Sequence, residues 1–297
     1  MRSAFTVRAF AKINLGLTVV ARRADGFHDL ESVMQQVSLS DKLSFEPMPG
    51  TGWQFFCTDQ RLAGPDNLVS RAAALLEQEA GKTLTGVKIT LYKNIPVSAG
   101  LAGGSADAAG ALAGLNRYWG LKLDKSTLLK LGATLGSDVP FCLQGGTVLA
   151  RGRGEQLEEL PLLPFFWIVL ALPHNLKMST AAAYKYFDTS YIGKPSLDPL
   201  VNAVRKGCKR DLQNWLANGF TNTLETAVLP GSGILQNFKL KLQELGFLPA
   251  LSGSGPTLFI ITEDYKLARS AVRAIEQSGG IAYLCWTTAG NEECCDV

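Results

Sequence analysis

The sequence predicts an α+β protein made of two halves, and three features support this. Apolar and polar residues alternate from Phe5 to Phe56, with a turn at Arg23–Gly26, which indicates consecutive antiparallel strands. A helical period then runs from Asn67 to Ala80, and mixed helical and strand-like segments follow. The 297 residues are 46% hydrophobic, so the chain can bury one large core or two medium ones, and we expect two.

The boundary between the halves is predicted at a short proline-bracketed linker. Pro161 and Pro164 flank two leucines, and an apolar, strand-like run begins at Phe165. We therefore expect an N-terminal domain at residues 1–160 and a C-terminal domain at residues 161–297. The predicted elements are strands at 87–92, 165–172, 248–251, 257–262 and 281–287 and helices at 67–80, 106–119 and 126–135.

Composition argues against several classes of function. A formal net charge of +3, from 29 basic and 26 acidic residues, is too small to indicate nucleic acid or a membrane surface as a partner. No apolar run reaches the ~18 residues that a membrane span requires, so we expect a cytoplasmic protein. We also expect it to be a monomer or a weak homodimer. The six cysteines and two histidines show no metal-ligand spacing, and no protein-held metal is predicted.

A glycine-rich segment lies between a predicted strand and a predicted helix. Its glycines let the backbone approach an anion, and the helix N-terminus supplies unpaired amides with a partial positive charge. The segment lacks the lysine of a Walker loop and the spacing of a dinucleotide fingerprint. Taken alone, it is either a phosphate cradle or a flexible turn with an ordinary helix cap. Its residues are Pro96, Val97, Ser98, Ala99, Gly100, Leu101, Ala102, Gly103, Gly104, Ser105 and Ala106.

Three other segments carry candidate functional side chains. Alternation places Lys12 and Asn14 on one strand face, where a lysine and an amide among apolar neighbours need partners. Asp138 stands where one predicted helix ends and another begins, so it is an N-cap, a base, or both. His28 follows a turn and Phe27, and by itself it fits a hydrogen-bonded strand residue as well as a ligand contact.

The order of these segments resembles the GHMP kinase superfamily. The resemblance spans nearly the whole chain, from Ala11 to about Thr262. It implies a two-domain α+β fold, with a mixed N-terminal sheet covered by helices, a C-terminal α/β sandwich and an active site in the cleft between them. The motifs that carry it are Ala11–Leu15, Arg23–His28, Asp66–Leu68, Pro96–Asp107, Gly136–Phe141 and Ser252–Thr257.

Within the superfamily, three motifs resemble one branch. The Lys12–Asn14 strand, the Gly26–His28 turn and the Gly136–Phe141 segment are typical of enzymes that phosphorylate a cytidine-diphosphate-bearing methylerythritol for non-mevalonate isoprenoid synthesis. The resemblance thus implies an ATP-dependent kinase, with Mg²⁺ carried mainly by the nucleotide phosphates. Its acceptor would be a small molecule with a cytidine diphosphate moiety.

The resemblance also implies roles on the nucleotide side. Asp138 would be the general base and Lys12 would bridge its carboxylate and the developing phosphoryl charge. The triphosphate would lie on residues 96–106, with Asn67 and Lys93 near the adenine, and Ser105 would cap the helix or offer its hydroxyl to the phosphate-bound magnesium. Within this loop, many relatives have glycine where this chain has Ser98, Ala99 and Ala102.

On the acceptor side, the resemblance implies recognition by stacking. Phe27 and Tyr184 would enclose the cytosine and His28 would hydrogen-bond its edge, while Asn14 and Thr180 would hold the erythritol and phosphate portion. Phe27 stands where relatives often have tyrosine, which keeps the ring face and loses a hydroxyl. For Tyr184, packing in the core of a helix at 179–188 is the competing interpretation.

Three alternatives fit parts of the pattern. A related kinase acting on mevalonate, homoserine or a sugar would share the loop but not the Gly26–His28 turn. A catalytically silent nucleotide or sugar sensor would be expected to lack Lys12 or Asp138, and both are present. An RNA-binding protein would need a basic aromatic surface, which the charge balance does not favour.

Overall fold

The fold consists of two β-sheets with helices packed on them. The computed structural model describes residues 3–174, 176, 178, 183–185, 187, 195–218 and 221–288, apart from the side chains of 216 and 217. The first sheet contains β1 (Phe5–Arg22), β2 (His28–Thr51), β3 (Trp53–Cys57), β4 (Thr85–Tyr92), β5 (Thr147–Gly152) and β6 (Gln156–Glu159). The second contains β7 (Trp167–Pro173), β8 (Ala250–Leu251), β9 (Leu258–Thr262) and β10 (Gly280–Trp286).

Nine α-helices with described bounds accompany these strands, besides a short 3₁₀-helix at Gln60–Leu62. Four belong to the first half: α1 (Leu68–Ala80), α2 (Gly103–Trp119), α3 (Lys125–Leu135) and α4 (Val139–Gln144). Five belong to the second half: α5 (Asp198–Lys206), α6 (Lys209–Ala217), α7 (Glu225–Val228), α8 (Gly233–Glu244) and α9 (Tyr265–Gln277). The predicted helices at 67–80, 106–119 and 126–135 all correspond to observed ones. Most of their bounds agree within one residue, but α2 begins three residues earlier than predicted.

The N-terminal sheet is mixed, with the long strand β2 at its centre. Its order is β3-β4-β2-β5-β6, and β1 also pairs with β2. The prediction of consecutive antiparallel strands from Phe5 to Phe56 is wrong for β3, which runs parallel to β4, with Trp53 opposite Val87. The reason lies in the connection, where Gly50 and Gly52 have φ of 83° and 80° and turn the chain onto the far edge of β4.

Helix α2 packs on this sheet through a face made of small residues. A Cβ built on Gly110 would lie 3.0 Å from Leu43 Cδ1, and one on Gly114 would lie 2.2 Å from Phe45 Cζ. Leu43 and Phe45 are fully buried on β2. The two glycines, four residues apart, therefore share one side of α2 and allow the helix backbone to approach the sheet closely.

The C-terminal sheet is antiparallel and is covered on both faces. Its order is β10-β7-β9-β8. Along β7, Ile168 and Leu170 belong to the large core that contains α5, whereas Val169 and Ala171 pack with α8 and α9 in a separate core. Side chains alternate between the two faces of a strand, and both faces of β7 are buried. Its sequence is therefore a continuous apolar run. This is the layered C-terminal half that the resemblance implied.

The two halves are joined by main-chain hydrogen bonds at three places, one of which is the bond from Thr257 N–H to the Ala99 carbonyl at 3.3 Å. Leu17 N–H donates to the Thr221 carbonyl at 2.8 Å, and Thr223 N–H donates to the Leu17 carbonyl at 2.9 Å. Near the other end of the interface, Thr288 N–H donates to the Gln36 carbonyl at 3.2 Å. The largest core cluster contains residues of both halves, so their packing is continuous. The division of the chain at residue 160 stays a prediction.

In the described ranges, no helix combines the length and the apolar character needed to cross a bilayer.

We predict that Gly114→Ala destabilises the protein by about 1–3 kcal/mol, because the new methyl overlaps the Phe45 ring in a fully packed layer. Urea denaturation followed by circular dichroism measures the change in the free energy of unfolding. Gly64→Ala is the matched control, since a Cβ there meets no atom within 4 Å. We expect the control to change stability by less than about 0.5 kcal/mol. Equal effects of the two substitutions would contradict the packing argument.

Candidate active site

A cavity of about 1040 Å³ opens between the two halves. It is lined by β1, the glycine-rich loop, the start of α2, the segment before α4 and the turn that precedes β9. Most of the predicted site residues line it together. They are Lys12, Asn14, Phe27, His28, Asn67, Lys93, Pro96, Val97, Ser98, Ala99, Gly100, Ala102, Gly103, Gly104, Ser105, Asp138 and Tyr184.

Two of the predicted site residues that the structure describes do not line the cavity. Leu101 and Ala106 are each 1% exposed and belong to the core behind the loop, where they support it without facing the cavity. Thr180 lies outside the described residues.

The start of α2 presents its first-turn amides to the cavity. Ala102 occupies the N-cap position, and no side chain in the described part of the chain caps the helix. The first helical bond runs from Ala106 N–H to the Ala102 carbonyl at 2.9 Å. The expectation that Ser105 caps the helix is therefore wrong, because Ser105 lies inside the first turn. Uncapped amides and the partial positive charge of the helix end suit an anion such as a phosphate.

The loop backbone is left-handed at three alternate positions. Ser98, Gly100 and Ala102 have φ of 56°, 74° and 57°. This conformation costs serine and alanine about 1 kcal/mol or more in conformational free energy, whereas it costs glycine none. On conformational grounds, glycine would therefore suit positions 98 and 102. The loop keeps its path here because its surroundings hold it.

A second glycine-rich turn, Ser252–Pro256, holds the loop from the C-terminal half. A Cβ on Gly100 would lie 2.7 Å from the Ser252 carbonyl oxygen and 2.8 Å from that of Gly255, so the two backbones are in contact. Thr257 Oγ1 donates to the Ala99 carbonyl at 2.6 Å, and Ser252 Oγ donates to the Gly100 carbonyl at 3.2 Å. The loop is therefore clamped by both halves of the protein.

Lys12, Asn14 and Asp138 form the polar centre of the cavity. Lys12 Nζ donates to Asn14 Oδ1 at 2.7 Å and lies 3.8 Å from Asp138 Oδ2. Asn14 Nδ2 donates to Ser32 Oγ at 2.8 Å, and Ser32 Oγ donates to the Gly16 carbonyl at 2.7 Å. Irregular pairing on either side of the Lys12–Asn14 stretch of β1 indicates bulges, which commonly re-aim side chains at active sites.

The structure argues against the capping interpretation of Asp138, and its role as a base stays a prediction. Asp138 stands at the N-cap of α4, but its side chain accepts no capping hydrogen bond, and that side chain is 33% exposed. A genuine cap is seen at Asp124, whose carboxylate accepts from Thr127 N–H at 2.7 Å. The Asp138 carboxylate is therefore available to the cavity, paired with the ammonium of Lys12.

The two residues predicted near the adenine are already engaged in the protein. Asn67 caps α1, since its Oδ1 accepts from Val69 N–H at 2.8 Å and its Nδ2 donates to the Leu62 carbonyl at 2.8 Å. Lys93 is paired with two carboxylates, Asp41 and Asp107, and its side chain is 8% exposed. Both residues line the cavity, and their contact with a nucleotide stays a prediction.

The carboxylates around Lys93 were not foreseen from the sequence. Lys93 Nζ donates to Asp107 Oδ2 at 2.7 Å, while Asp107 Oδ1 is buried and has no hydrogen-bond partner within the described residues. Burial raises the pKa of Asp107 to about 8, despite the opposing charge of Lys93. The carboxylate of Asp107, alone in the alanine-rich stretch of α2, indicates that a buried partner is needed. The sequence does not show which lysine is that partner.

The end of the cavity that carries the aromatic side chains contains two stacked pairs. His28 stacks on Tyr184 at a centroid distance of 4.8 Å and an interplanar angle of 22°. The Arg153 guanidinium lies over the Phe27 ring, 4.9 Å from its centroid, and Phe27 is 52% exposed. Burial and the charge of Asp138 raise the pKa of the Tyr184 phenol, so this residue stays neutral. One face of each predicted stacking ring is thus occupied by a protein group.

Several lining residues lay outside the predicted site. The late turn Ser252–Thr257 was recognised as a motif, yet Gly253 and Ser254 were not assigned to the cavity that they line. A Cβ on Gly253 would be 3.2 Å from Asn14 Oδ1, which explains why glycine is needed there. Arg153 lies between two glycines with φ of 69° and 111°. The Gly-Arg-Gly sequence of this tight turn is the sequence feature that could have marked Arg153 as a candidate.

Comparison with known proteins shows the class first. A family model described as the GHMP kinases N terminal domain matches residues 67–146. The fold is shared with a homoserine kinase from Cytophaga hutchinsonii, at a TM-score of 0.70 and 20% identity over 100% of this chain and 98% of that one. At this identity the likeness shows the fold alone, and it confirms a two-domain GHMP kinase fold.

More similar relatives define the family within that class. The crystal structure of a 4-(cytidine 5'-diphospho)-2C-methyl-D-erythritol kinase matches with a TM-score of 0.80 and 34% identity, over 96% of this chain and 100% of that one. A 4-diphosphocytidyl-2-C-methyl-D-erythritol kinase from Pelotomaculum thermopropionicum is 44% identical, over 89% of this chain and 91% of that protein. One from Acaryochloris marina is 43% identical, over 89% of each. The chain therefore belongs to the 4-diphosphocytidyl-2-C-methyl-D-erythritol kinase family, as its motifs predicted.

We predict that Asp107 makes the protein less stable as the pH rises from about 5 to 8. Its pKa is raised from its ordinary value of 3.8 to about 8 on folding, so the folded state holds a proton that the unfolded state releases in this range. This contribution is fully present below the unfolded pKa and falls by at most ~1.4 kcal/mol per pH unit.

The measurement is the urea midpoint at pH 5 and pH 8 for the wild type and for Asp107→Asn. The amide keeps an oxygen for Lys93 but cannot release a proton, so the variant should lose less stability between the two pH values. An identical loss in both proteins would show that Asp107 does not titrate in this window.

Proposed function

We propose that this protein transfers the γ-phosphoryl group of ATP to the 2-hydroxyl of 4-diphosphocytidyl-2-C-methyl-D-erythritol, giving the 2-phosphate and ADP. The reaction belongs to non-mevalonate isoprenoid precursor synthesis. The observation that carries the proposal is the convergence of Lys12 Nζ and Asp138 Oδ2, 3.8 Å apart, in one cavity with the uncapped amides at the start of α2. Family membership supports the choice of acceptor.

On the donor side, the loop and the helix start are proposed to bind the triphosphate. Gly103 and Gly104 carry no side chain that would keep phosphate oxygens from the first-turn amides. The adenine would lie toward Asn67 and Lys93, which line the same cavity. Because Lys93 has three N–H donors and gives two of them to carboxylates, one donor remains for the nucleotide.

Magnesium is proposed to arrive with the nucleotide. In the described part of the chain, no group of three or more His, Cys, Asp or Glu side chains could hold a metal ion, which fits an ion carried by phosphate oxygens and water. When bound, Mg²⁺ neutralises charge on the transferred phosphoryl group. The hydroxyl of Ser105, in the first turn of α2, is the neighbouring side chain best suited to contact it.

Asp138 is proposed to accept the proton of the attacking hydroxyl. Its carboxylate is not used as a helix cap, and it faces the cavity beside Lys12. Lys12 is held in place by its bond to Asn14, so its charge is fixed where negative charge develops in the transition state. Phosphoryl transfer needs positioned charges and aligned oxygens more than covalent help, and this arrangement supplies them.

Recognition of the acceptor is proposed to involve the aromatic end of the cavity. Phe27 is half exposed, with Arg153 on one side of its ring, so the opposite face is available for a pyrimidine. His28 would meet the edge of the base, while its own ring is kept in place by Tyr184. Asn14 would hold the polyol end near Asp138.

A coupled assay of ADP release tests the proposal. The purified protein is incubated with ATP and, in parallel, with the cytidine-diphosphate methylerythritol, mevalonate, homoserine or galactose. We expect turnover with the first acceptor alone. Turnover of mevalonate, homoserine or galactose instead would assign the protein to a different kinase activity, and turnover of none would reject the proposal.

We predict that Asp138→Asn lowers kcat by ~10²–10⁴-fold while ATP binding survives, because the base is lost and the phosphate loop is intact. Stopped-assay kinetics and calorimetric titration with a non-hydrolysable ATP analogue measure the two quantities. Asp124→Asn is the control, since that carboxylate caps α3 and lies outside the cavity. Wild-type turnover in Asp138→Asn would show that Asp138 is not the general base.

We predict that Phe27→Ala raises KM for the cytidine-bearing acceptor by ~5-fold or more and leaves KM for ATP within about twofold, because one stacking face is lost. Phe56→Ala is the control, since Phe56 is also exposed, has a lysine over its ring and lies outside the cavity. Equal changes in the two KM values would show that Phe27 does not bind the acceptor specifically.

A further inference from the structure

We propose that Asp41, Lys93 and Asp107 form a buried clasp that fixes both ends of the glycine-rich loop and thereby sets the affinity for the nucleotide. Asp41 and Asp107 are positioning residues in this proposal. Asp41 does not line the cavity at all, so it can act on a ligand only through its neighbours. The inference rests on the proposed function, because it concerns the binding of ATP at the same loop.

Asp41 holds the chain just before the loop. It is fully buried on β2, and its Oδ1 accepts from Ile95 N–H at 2.8 Å and from Asn94 N–H. These two residues connect the end of β4 to Pro96, the first residue of the loop. One carboxylate oxygen thus takes both main-chain donors of the segment that enters the loop.

Lys93 links that anchor to the chain just after the loop. Its ammonium donates to Asp41 Oδ2 and, at 2.7 Å, to Asp107 Oδ2 in the second turn of α2. The three residues come from β2, the end of β4 and α2, and they are separated by 52 and 14 positions along the chain. The loop from Pro96 to Ala102 is therefore closed at its base by one connected group of buried polar side chains.

The loop needs such a closure for two reasons. Ser98 and Ala102 are held in left-handed backbone conformations, which a free loop would leave. The cradle also depends on the position of Gly103, and a Cβ there would lie 3.4 Å from Lys93 Nζ. The ammonium is thus packed directly beneath the first residue of α2, so a shift of Lys93 would move the amides that face the cavity.

Burial makes the arrangement rigid. Asp41 is 0% and Asp107 2% exposed, and the Lys93 side chain is 8% exposed. Polar and charged groups in such surroundings are held tightly by their partners, because water does not compete for them and an unpaired group is costly. Removal of one member should therefore loosen the loop, while the acceptor end of the cavity, formed by other elements, is left as it is.

Asp41→Asn tests the clasp directly, with Glu46→Gln as the matched control. Glu46 also lies on β2 and pairs with a lysine of β4, Lys88, at 3.2 Å, but that pair is exposed and far from the loop. We expect Asp41→Asn to weaken binding of a non-hydrolysable ATP analogue by about 5- to 10-fold, the effect of one ordinary hydrogen bond. Binding of the cytidine-bearing acceptor should stay within about twofold, and Glu46→Gln should behave as wild type in both titrations.

Amide hydrogen exchange of the ligand-free protein gives a second measurement. Exchange at residues 97–105 should accelerate by about 5- to 10-fold in Asp41→Asn and remain unchanged in Glu46→Gln. If Asp41→Asn does not fold, the pair Asp107→Ala and Asp107→Asn replaces it. Because Asp107 itself lines the cavity, amide exchange at residues 97–105 of the ligand-free protein is then the deciding measurement, and unchanged exchange in Asp107→Ala would overturn the clasp. The alanine removes the bond to Lys93 and should weaken nucleotide binding, whereas the asparagine keeps an oxygen for Lys93 and should restore it.

The outcomes separate this inference from the proposed function. A wild type that binds no ATP analogue would reject the proposed function itself. A wild type that binds it, with folded Asp41→Asn or Asp107→Ala binding equally well, would overturn the clasp. Equal losses for the nucleotide and the acceptor would also overturn it, because they would indicate general destabilisation. All titrations are made about 15 °C below the melting temperature of the weakest variant, so that each protein is folded.

Discussion

The active site depends on the two ways in which Lys12 is bonded. Its main-chain N–H donates to the Leu101 carbonyl at 3.1 Å and so fixes the glycine-rich loop to β1. Its side chain donates to Asn14 and lies 3.8 Å from the Asp138 carboxylate. One residue therefore sets the distance between the proposed phosphate cradle and the proposed base. Phosphoryl transfer demands such alignment, since misplacement by about 1 Å can cost 10²-fold in rate.

The cleft is held by contacts between the halves that surround this centre. Asn222 forms a parallel bridge with Leu17 of β1. Its side chain donates to the carbonyls of Leu251 and Gly253, both at 2.9 Å. Gly253 in turn lies against Asn14, and the same turn packs on Gly100. A path of hydrogen bonds and backbone contacts thus leads from β1 through the C-terminal half to the loop. At Gly100 the two backbones themselves are in contact, so a residue without a side chain is required there.

Charge in the interior is concentrated where the loop meets the sheet. Lys93, with Asp41 and Asp107, occupies a buried position that apolar residues could have filled, and replacing a buried ion pair by well-packed apolar residues is often neutral or stabilising. The cluster is therefore better explained by position than by stability. It holds a loop whose backbone is strained at Ser98 and Ala102, and it brings an ammonium to the base of the cradle. Strain of this kind is typical of functional sites.

Local signals in the sequence determined the helices and the glycine-rich loop. Asn67 caps α1 and the loop precedes α2, because caps and turns depend on residues a few positions apart. Motif order also determined that Lys12 and Asp138 belong to one site. The tertiary structure alone decided that β3 runs parallel to β4, that the Asp138 carboxylate is free of a cap, and that Asp107 meets Lys93 and Asp41. Those outcomes depend on contacts between residues far apart in the chain, and a period of two or 3.6 residues carries no information about which distant partner is met.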